Sequence, residues 1–578
     1  MSDMQSPGKN IEISQNIDYI WGVKIPMRDG IRLNAILYKP KGSKSTPIIL
    51  TLTPYSSDAA HLRGMYFAGH GYTFVAVDSR GRGNSEGVFE PFASEARDGY
   101  DIVEWLASQP WCNGQVAMWG GSYGGYDQWI TLREGSPHLK TIVPTASAHA
   151  GVDFPFFKNI SSPFNMQWLT YISGVARNEA IMDDAKFWVG KFQEMYQQHL
   201  PYKELDRIVG NTSTFFQTWV THPHPDEYWD SMAFPAEQYD LINIPILTVT
   251  GHYDDDQPGA LEYYRNHMAS KSPAREMHYI IIGSWDHYGT RDPKTEFGGL
   301  RFSKTSILDM NKIHLEWYDW TMKGGKRPAF LKKRVAYYVM GEEKWKYADS
   351  LEKIGAVPKK MYLCADGRAN DVFHSGTLED QLRKGTPYDV FTYDPLDKRI
   401  GDLEWKQVND YLTDQTYDLN LFGNGLVYHS EPFAKDTEIT GWVKLFAWIS
   451  MDVPDTDFKV TLAEILPDGK MIKLTQDLLR ARYRESKRVE KLVVPGEINL
   501  YTFDVFTFFS RRISKGSRLR LIISCPNTIF LEKNYNSGGI VAEESGRDAR
   551  TAHVTLYHDK THPSYVKLPV VRKRQTKV

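Results

Sequence analysis

The stretch GGSYGG at residues 120–125 places four glycines around one Ser-Tyr pair, immediately after the apolar run VAMW. Glycine is a poor former of both helix and strand, so this composition is favourable only where the backbone makes a turn that side chains would obstruct. The helical pattern DQWITLREG follows. A strand, a G-x-S-x-G turn and a helix in this order form a nucleophile elbow. The pattern therefore predicts Ser122 as a nucleophile, against the alternative of a glycine-rich turn with an incidental serine.

A serine nucleophile needs a base and an acid that orients the base, and the sequence contains both in the order Ser, Asp, His. Asp254 follows the predicted strand PILTVTG, and His287 follows the predicted strand MHYIIIGS. His252 precedes the acid and would break the order, so we interpret it as a packing histidine. Asp286 adjoins His287, but neighbouring side chains of an extended segment point apart, which indicates a loop carboxylate. The predicted triad is Ser122, Asp254 and His287.

The oxyanion that forms when a serine attacks a carbonyl group needs two hydrogen-bond donors. The backbone N–H of Tyr123, the residue after the nucleophile, is the usual first donor. The loop after an early strand normally provides the second, and here it reads TPYSSD, in which Pro54 has no N–H. The phenol of Tyr55 stays protonated at neutral pH, so we predict its hydroxyl as the second donor, against the alternative that the ring only packs.

The pattern of apolar residues divides the 578-residue chain into three parts. Strand and helix patterns alternate over residues 1–149 and again over 237–333, which predicts an α/β fold around a mostly parallel sheet. Aromatic-rich helical sequence over 150–236 interrupts this alternation and predicts an inserted helical cap. Short strands and polar turns over 334–578, beginning with VAYYVMG, predict a separate β-sandwich.

The charge balance and the cysteines argue against several classes of function. Lys and Arg total 69 against 71 Asp and Glu, which leaves no basic footprint for nucleic acid or an anionic membrane. Cys112, Cys364 and Cys525 lie far apart, which indicates neither a disulfide framework nor a cysteine-based zinc site. We expect no cofactor, no metal and no membrane-spanning segment. A cytoplasmic protein is expected, because the amino-terminal stretch lacks the apolar run of a signal peptide. The oligomeric state stays open, homo-oligomers included.

Two polar stretches could hold a metal ion, and both have a structural alternative. THPHPDEYWD contains two histidines and Asp226, but its prolines indicate a rigid segment that leaves the cap. DVPDTD at 452–457 could hold calcium, and we interpret it as a polar turn between strands.

Stretches along nearly the whole chain resemble the cocaine esterase and X-Pro dipeptidyl-peptidase (CocE/NonD) family of serine hydrolases. In the first half these are LTPY, DSRGRGNSEG, EARDGYDIVEWLASQPWCNGQVAMWGGSYGG, GHYD and GSWDH. YVMGEEKWKYADS, PDTDFKVTLAEILPDG and HPSYVKLPVV are similar to the family's carboxy-terminal jelly-roll. The resemblance implies an α/β-hydrolase fold with a helical cap and a jelly-roll, the triad named above, and Tyr55 as the second oxyanion donor. It also implies that Arg80 and Arg82 hold neighbouring loops rather than bind substrate.

The activity implied is hydrolysis of a small carboxylic ester or amide through an acyl-enzyme. A proline-selective dipeptidyl peptidase is the alternative within the family, although those members tend to have an additional amino-terminal domain. A non-catalytic binding protein on a hydrolase scaffold is the alternative of another class. The intact order of the catalytic residues argues against it.

The loop DDDQ, which begins at Asp254, carries more carboxylates than a triad needs. Alternation along the loop predicts that Asp256 faces the pocket and that Asp255 turns away. GVDF and HPHPDEYWD are similar to the α-amino acid ester hydrolase branch, in which a carboxylate cluster binds the substrate's α-ammonium group. Asp153 and Asp256 match two cluster positions, and Gln257 stands at the third. The alternative is a set of solvated loop acids.

The predicted cap contains too many aromatic residues for a solvent-facing surface. Some would form the cap's own core, and others would wall an apolar acyl pocket above Ser122, with Trp168 as a candidate for substrate contact. The sequence does not separate the two groups, which are drawn from Phe154, Phe156, Phe157, Phe164, Trp168 and Tyr171.

Overall fold

The computed structural model describes residues 16–383, 385–404, 410–416 and 422–572. The amino-terminal stretch used for the localisation prediction lies outside them. The chain begins with strands and helices in alternation: β1 (Ile17–Pro26), β2 (Arg32–Pro40), β3 (Thr46–Thr53), α1 (His61–Gly69), β4 (Thr73–Asp78), α2 (Glu95–Ala107), β5 (Cys112–Ser122), α3 (Tyr123–Arg133) and β6 (Leu139–Ser147).

Helical structure follows β6, where the sequence predicts the cap. Its elements are β7 (Phe156–Phe157), β8 (Ile160–Ser161), α4 (Phe164–Tyr171), α5 (Glu179–Met182), α6 (Ala185–Gln197), α7 (Leu205–Val209), α8 (Thr214–Val220) and α9 (Glu227–Met232). The polar residues Asp184, Ser213 and Asp226 begin three of these helices, because each side chain accepts a backbone N–H of the first turn. The helices pack around buried tryptophans such as Trp188 and Trp229.

The alternation then resumes with β9 (Ile246–Tyr253), α10 (Gln257–Ala269), β10 (His278–Asp286), β11 (Glu296–Phe297), β12 (Leu300–Arg301), α11 (Met310–Lys323), β13 (Val335–Val339) and β14 (Lys344–Ala348). One sheet has the strand order β1-β2-β4-β3-β5-β6-β9-β10-β13-β14. The pairs from β4 to β13 are parallel. Strands such as β4 are buried throughout, because helices cover both faces of a parallel sheet. It follows that β3, β5, β6, β9 and β10 end at the same edge.

The last two strands of this sheet correct a predicted boundary. VAYYVMG is expected to begin the all-β region, but β13 pairs in parallel with β10, with Val335 opposite Ile280, and continues antiparallel into β14. The sequence of a strand indicates which side chains face inward but not which strand lies beside it, so the pattern could not assign its partner. Residues 335–348 therefore extend the first sheet, and the all-β region begins after them.

The carboxy-terminal part is all-β apart from one helix among the described residues. Its elements are β15 (Ala356–Cys364), β16 (Gly376–Glu379), β17 (Tyr388–Tyr393), α12 (Arg399–Glu404), β18 (Gly425–Ser430), β19 (Thr437–Gly441), β20 (Lys444–Met451), β21 (Asp457–Ile465), β22 (Met471–Arg480), β23 (Asn499–Phe503), β24 (Phe509–Ile513), β25 (Arg518–Ser524), β26 (Ala552–Tyr557) and β27 (Tyr565–Val571). Buried and exposed residues alternate strictly along β17, which is typical of a strand with one face on a core. The core contains Leu445, Ala447 and Ile449 of β20.

Polar contacts join the cap to the all-β region. Gln193 of α6 donates its amide N–H to the Gly401 carbonyl at 2.6 Å, and the Tyr196 hydroxyl donates to the Asn527 side chain at 2.7 Å. Short 3-10 helices occupy Ser57–Ala60, Tyr202–Glu204, Ala236–Leu241, Pro273–Met277, Lys304–Ser306, Glu352–Ile354, Val372–His374, Ala481–Tyr483 and Val541–Glu543. The all-β region therefore supports the cap that lies next to the carboxyl edge of the first sheet.

Candidate active site

The glycines around Ser122 allow a tight strand-to-helix turn. Ser122 ends β5 and precedes α3 with φ 61° and ψ −124°, a conformation that side chains rarely adopt. A Cβ atom on Gly120 would lie 2.6 Å from the Gly124 carbonyl oxygen, and one on Gly125 would lie 2.8 Å from the Ser147 Cα. Side chains at these positions would therefore push β5, α3 and β6 apart. The structure confirms the predicted strand–turn–helix elbow.

The other predicted site residues follow strands that end at the same edge. Tyr55 comes two residues after β3, Asp153 lies in the segment after β6, Asp254 follows β9 and His287 follows β10. Since these strands are parallel neighbours of β5, the fold brings residues that are distant in sequence to the edge that carries Ser122.

The side chains of Asp254 and His287 are joined by a hydrogen bond. The Nδ1 atom of His287 lies 2.9 Å from Oδ1 of Asp254, whose side chain is fully buried. Asp254 also accepts from the Thr250 hydroxyl at 2.7 Å and from the Asp256 backbone N–H at 3.1 Å. These bonds hold the carboxylate in one orientation. Because Nδ1–H donates to Asp254, Nε2 is the basic nitrogen of the imidazole.

The charges around His287 favour its protonated form. Burial lowers the pKa of the imidazole, and the nearby guanidinium of Arg291 acts in the same direction, but the carboxylates of Asp256 and Asp254 outweigh both and raise the pKa above its ordinary value. Oδ2 of Asp256 lies 3.7 Å from Nδ1 of His287. A base with a raised pKa accepts a proton more readily during nucleophilic attack.

The hydroxyl of Tyr55 is placed as a neutral donor beside Ser122. Burial raises the pKa of the Tyr55 phenol well above its ordinary range, against the opposing effect of hydrogen bonds with Trp168 and Ser122. The backbone N–H of Tyr55 is already bonded to the Thr53 hydroxyl at 3.0 Å. At this position the free donor is therefore the phenolic O–H.

Tyr123 contributes its backbone rather than its side chain. Its hydroxyl donates to Glu95 at 2.7 Å and accepts the Phe92 N–H at 2.6 Å, inside the core between α2 and α3. Its backbone N–H is the first of α3, where an N–H has no partner within the helix. The buried phenol thus anchors the amino-terminal end of α3 next to Ser122.

Of the three predicted cluster residues, Asp256 lies beside His287, and Asp153 lies close enough to Asp256 to raise its pKa. Asp256 faces His287 while Asp255 is exposed, as the alternation along the loop predicts. Asp153 accepts the backbone N–H groups of His149 at 2.8 Å and of Gly259 at 2.5 Å. Burial raises the pKa of Asp153 and of Asp256, and the negative charge of Asp254 adds to this effect on both. Both carboxyl groups therefore hold a proton more readily than an exposed aspartate does.

Gln257 does not belong to this cluster. It is fully buried, and its amide N–H donates to the carbonyls of Gly251 at 2.8 Å and Phe508 at 2.9 Å. Its side-chain oxygen accepts the Phe508 N–H at 2.6 Å. Because Gln257 begins α10, its side chain turns inward to the all-β region instead of toward the pocket. The prediction that Gln257 contacts substrate is corrected accordingly.

The structure separates the cap aromatics that the sequence could not. Phe156 is buried against Trp229, with ring centroids 5.7 Å apart, and belongs to the cap core. Phe164 is 41% exposed. Trp168 and Phe154 pack together at 5.2 Å, and the Trp168 indole N–H reaches the Tyr55 hydroxyl. Trp168 is therefore a cap residue that donates a hydrogen bond to a predicted site residue, and Tyr171 stacks on the same ring.

Two arginines support the site. Arg82 is fully buried and donates to the carbonyls of Pro54 and Ile172, both at 2.7 Å, which ties the Tyr55 loop to the cap as the loop-holding prediction expects. Arg291, which is not among the predicted site residues, donates to the His287 carbonyl at 3.2 Å and packs against Gly121. A lone arginine four residues after the histidine gives no pattern from which this contact could be predicted.

The stretches considered for metal binding have structural partners. Asp226 caps α9 and pairs with His222 at 2.6 Å. In DVPDTD, Asp455 pairs with Arg482 and Asp457 pairs with Arg480, both at 2.8 Å. Across the described residues no group of three or more metal-ligating side chains occurs. In the same part of the chain, no helix has the length and apolarity needed to span a membrane.

Family models match most of the chain. The model of the X-Pro dipeptidyl-peptidase (S15) family matches residues 29–289, which include Ser122, Asp254 and His287. The model of the X-Pro dipeptidyl-peptidase C-terminal non-catalytic domain matches residues 330–567. The chain belongs to the X-Pro dipeptidyl-peptidase (S15) family. As a member of this family it is a serine hydrolase, which sets aside the alternative of a non-catalytic binding protein.

Similar proteins cover the chain from end to end. The cocaine esterase of Rhodococcus sp. (strain MB1 Bresler) is 26% identical over 590 residues, which span 97% of this chain and 100% of that protein. An aminopeptidase from the marine sediment archaeon Thaumarchaeota archaeon superposes with a TM-score of 0.82 at 22% identity, covering 99% of each chain. An α-amino acid ester hydrolase superposes with a TM-score of 0.82 at 20% identity, covering 99% of this chain and 100% of that one. These likenesses confirm the predicted α/β-hydrolase fold with its all-β carboxy-terminal domain.

Proposed function

We propose that Ser122, His287 and Asp254 form the catalytic triad of an enzyme that hydrolyses carboxylic esters through an acyl-enzyme. The observation that carries this proposal is the strained conformation of Ser122, with φ 61°, at the sheet edge where the 2.9 Å pair of Asp254 and His287 also lies. Backbone strain of this kind persists where the surrounding fold holds a functional group in place.

The proposed chemistry balances without a cofactor. As Oγ of Ser122 attacks the carbonyl carbon, Nε2 of His287 takes the hydroxyl proton and the carbonyl π electrons move to oxygen. Collapse of this intermediate breaks the bond to the leaving group, which receives the proton from His287. A water molecule then attacks the acyl carbon while His287 takes its proton. Collapse of this second intermediate breaks the bond to Oγ, releases the carboxylic acid and returns the proton from His287 to Ser122. Asp254 stabilises the imidazolium through its hydrogen bond with Nδ1.

The oxyanion would receive two hydrogen bonds. The backbone N–H of Tyr123 points from the amino-terminal end of α3, where the helix dipole also favours negative charge. The Tyr55 hydroxyl is a neutral donor, because burial raises the pKa of the phenol, and it lies close enough to Ser122 for that residue to affect this pKa. Donors fixed before the reaction stabilise developing charge without reorganisation.

The carboxylates beside the triad suggest the substrate class. Burial and the charge of Asp153 raise the pKa of Asp256, so a cation bound beside these two residues would favour their ionised forms. We propose that they favour acyl groups with an ammonium or hydrogen-bond-donating substituent on the α carbon. The α-ammonium of a peptide would fit the same carboxylates, which keeps an X-Pro dipeptidyl peptidase as the second candidate.

Labelling of the nucleophile tests the triad. A fluorophosphonate probe should label Ser122, and Ser122→Ala should abolish both labelling and hydrolysis of p-nitrophenyl acetate. Folded protein without label would contradict the triad. The kcat/KM for Ala-Pro-p-nitroanilide should be compared with those for a panel of acyl esters. A higher value for Ala-Pro-p-nitroanilide than for every ester would support the dipeptidyl peptidase over the esterase.

Paired substrates test the carboxylates. The wild type should hydrolyse a phenylglycine ester with a higher kcat/KM than the phenylacetate ester that lacks the amino group. Asp256→Asn should remove this preference, whereas Asp255→Asn, at the exposed neighbouring position, should keep it. Equal kcat/KM for the two esters in the wild type would contradict a role of Asp256 in binding the amino group. An equal loss of the preference in both variants would contradict it as well.

The free cysteines favour a particular cellular compartment for the enzyme. Cys112, Cys364 and Cys525 are free thiols, which is typical of a reducing environment. We therefore place the enzyme in the cytoplasm, acting on a small ester. Fractionation of the source cells, followed by fluorophosphonate labelling of each fraction, would test this placement, and label in an extracellular fraction would contradict it.

A further inference from the structure

Trp168 of α4 contacts the proposed oxyanion donor directly. Its indole Nε1–H donates to the Tyr55 hydroxyl oxygen at 3.1 Å, although the two residues are 113 positions apart. Trp168 is 5% exposed and stacks on the rings of Tyr123 and Trp219, with centroids 5.7 Å and 6.2 Å away. The indole therefore has little freedom to turn away from Tyr55.

Other contacts already hold the Tyr55 ring and backbone. The ring stacks on Tyr171 of α4 with centroids 5.6 Å apart, and the Tyr55 N–H donates to the Thr53 hydroxyl. Arg82 binds the preceding carbonyl, that of Pro54. With ring and backbone held, the freedom that remains is the direction of the phenolic hydrogen.

The indole restricts that direction. A phenolic O–H lies near the plane of its ring and can point to either side of the oxygen. An N–H that donates to the oxygen from one side occupies that lone pair and leaves the hydrogen on the other side. Ser122 lies close enough to the Tyr55 hydroxyl to lower the pKa of the phenol, so it is the other polar neighbour of this hydroxyl. Accepting a hydrogen bond also polarises the O–H and makes it a stronger donor.

We infer that Trp168 is a positioning residue that aims the Tyr55 hydroxyl at the oxyanion, an inference that rests on the proposed function of Tyr55. In this role Trp168 acts through the Tyr55 hydroxyl. The cap thereby takes part in transition-state stabilisation, because α4 carries both Trp168 and the stacking ring of Tyr171.

A double-mutant cycle tests this inference. Trp168→Phe keeps an aromatic ring and removes the N–H, and it should lower kcat about tenfold with KM changed less than twofold. In the Tyr55→Phe background the same substitution should change kcat less than twofold, because no O–H remains to be aimed. Trp219→Phe, the same change on a ring that stacks on Trp168, is the matched control and should change kcat less than twofold.

Two results would overturn the inference. A raised KM at constant kcat in Trp168→Phe would make Trp168 a substrate-contact residue. Equal losses of kcat in both Tyr55 backgrounds would show that Trp168 does not act through the phenol. These results differ from a failure of the proposed function, in which Tyr55→Phe itself leaves kcat unchanged.

A replacement of the same size at position 168 separates loss of the indole N–H from a change in folding. β-(3-Benzothienyl)alanine at position 168 replaces the indole N–H by sulfur and keeps the size of the ring system. It should reproduce the tenfold loss of kcat, and it should weaken binding of phenylboronic acid, whose tetrahedral adduct with Ser122 places an oxygen in the oxyanion site, by a similar factor. Wild-type kcat and wild-type boronic acid affinity in this variant would refute the positioning role.

Discussion

Replacing Tyr55 by phenylalanine removes one oxygen and leaves the ring in place. Phenylalanine keeps the stack on Tyr171, whose centroid lies 5.6 Å away, and leaves the backbone bonds at Thr53 and Pro54 unchanged. The variant therefore loses the hydroxyl and little else.

The loss can be estimated for activity and for stability. Removing one oxyanion donor costs roughly 2.7–4 kcal/mol in the transition state, so kcat should fall about 10²- to 10³-fold with little change in KM. The Trp168 N–H, which donates to Tyr55 at 3.1 Å, loses its acceptor at the same time. A buried donor without a partner costs about 1–3 kcal/mol in the free energy of unfolding.

The assay combines steady-state kinetics on p-nitrophenyl acetate with urea denaturation. Tyr171→Phe is the control, because it removes a hydroxyl from the neighbouring ring of the same stack. A kcat within threefold of the wild type in Tyr55→Phe would remove Tyr55 from the mechanism. An unchanged free energy of unfolding would show that the Trp168 N–H bond does not stabilise the fold.

Three further predictions concern charge and pH. Since carboxylates raise the pKa of His287 and the base must be neutral, Asp256→Asn should move the acid limb of kcat/KM to lower pH. A charge at 3.7 Å is worth about 1 kcal/mol at high dielectric, close to one pH unit, and an unmoved limb in pH–rate profiles would contradict this. Arg82→Met leaves two buried carbonyls unpaired and should lower the free energy of unfolding by about 3 kcal/mol in urea titrations. Burial lowers the pKa of His267 to about 4 and also lowers that of His278, so the stability that these neutral histidines allow above pH 6.5 should be lost as pH falls from 6.5 toward 4. His267→Gln should reduce this loss by about 3 kcal/mol in the same titrations.

The elbow and the order of the triad could be predicted because each depends on short stretches of sequence. A glycine-flanked serine between a strand and a helix specifies a local turn, and the structure shows that turn with Ser122 at φ 61°. Parallel strands end at one edge, so Asp254 after β9 and His287 after β10 had to lie near β5 once the alternation was recognised. Asp256 and Asp255 could likewise be separated by alternation along a single loop.

The tertiary structure decided everything that depends on which surfaces meet. The pattern VAYYVMG specifies a strand but not its neighbour, so only the fold shows that β13 extends the first sheet. Gln257 follows three acids in sequence, yet its amide is bound by Phe508, 251 residues away. The contact between Trp168 and Tyr55 likewise joins the cap to a loop of the first sheet, with no periodicity that predicts it. The periodicity of apolar residues shows which face of a helix or strand is buried. The partners of a side chain depend on how distant elements pack against each other, and a local sequence pattern carries no information about that packing.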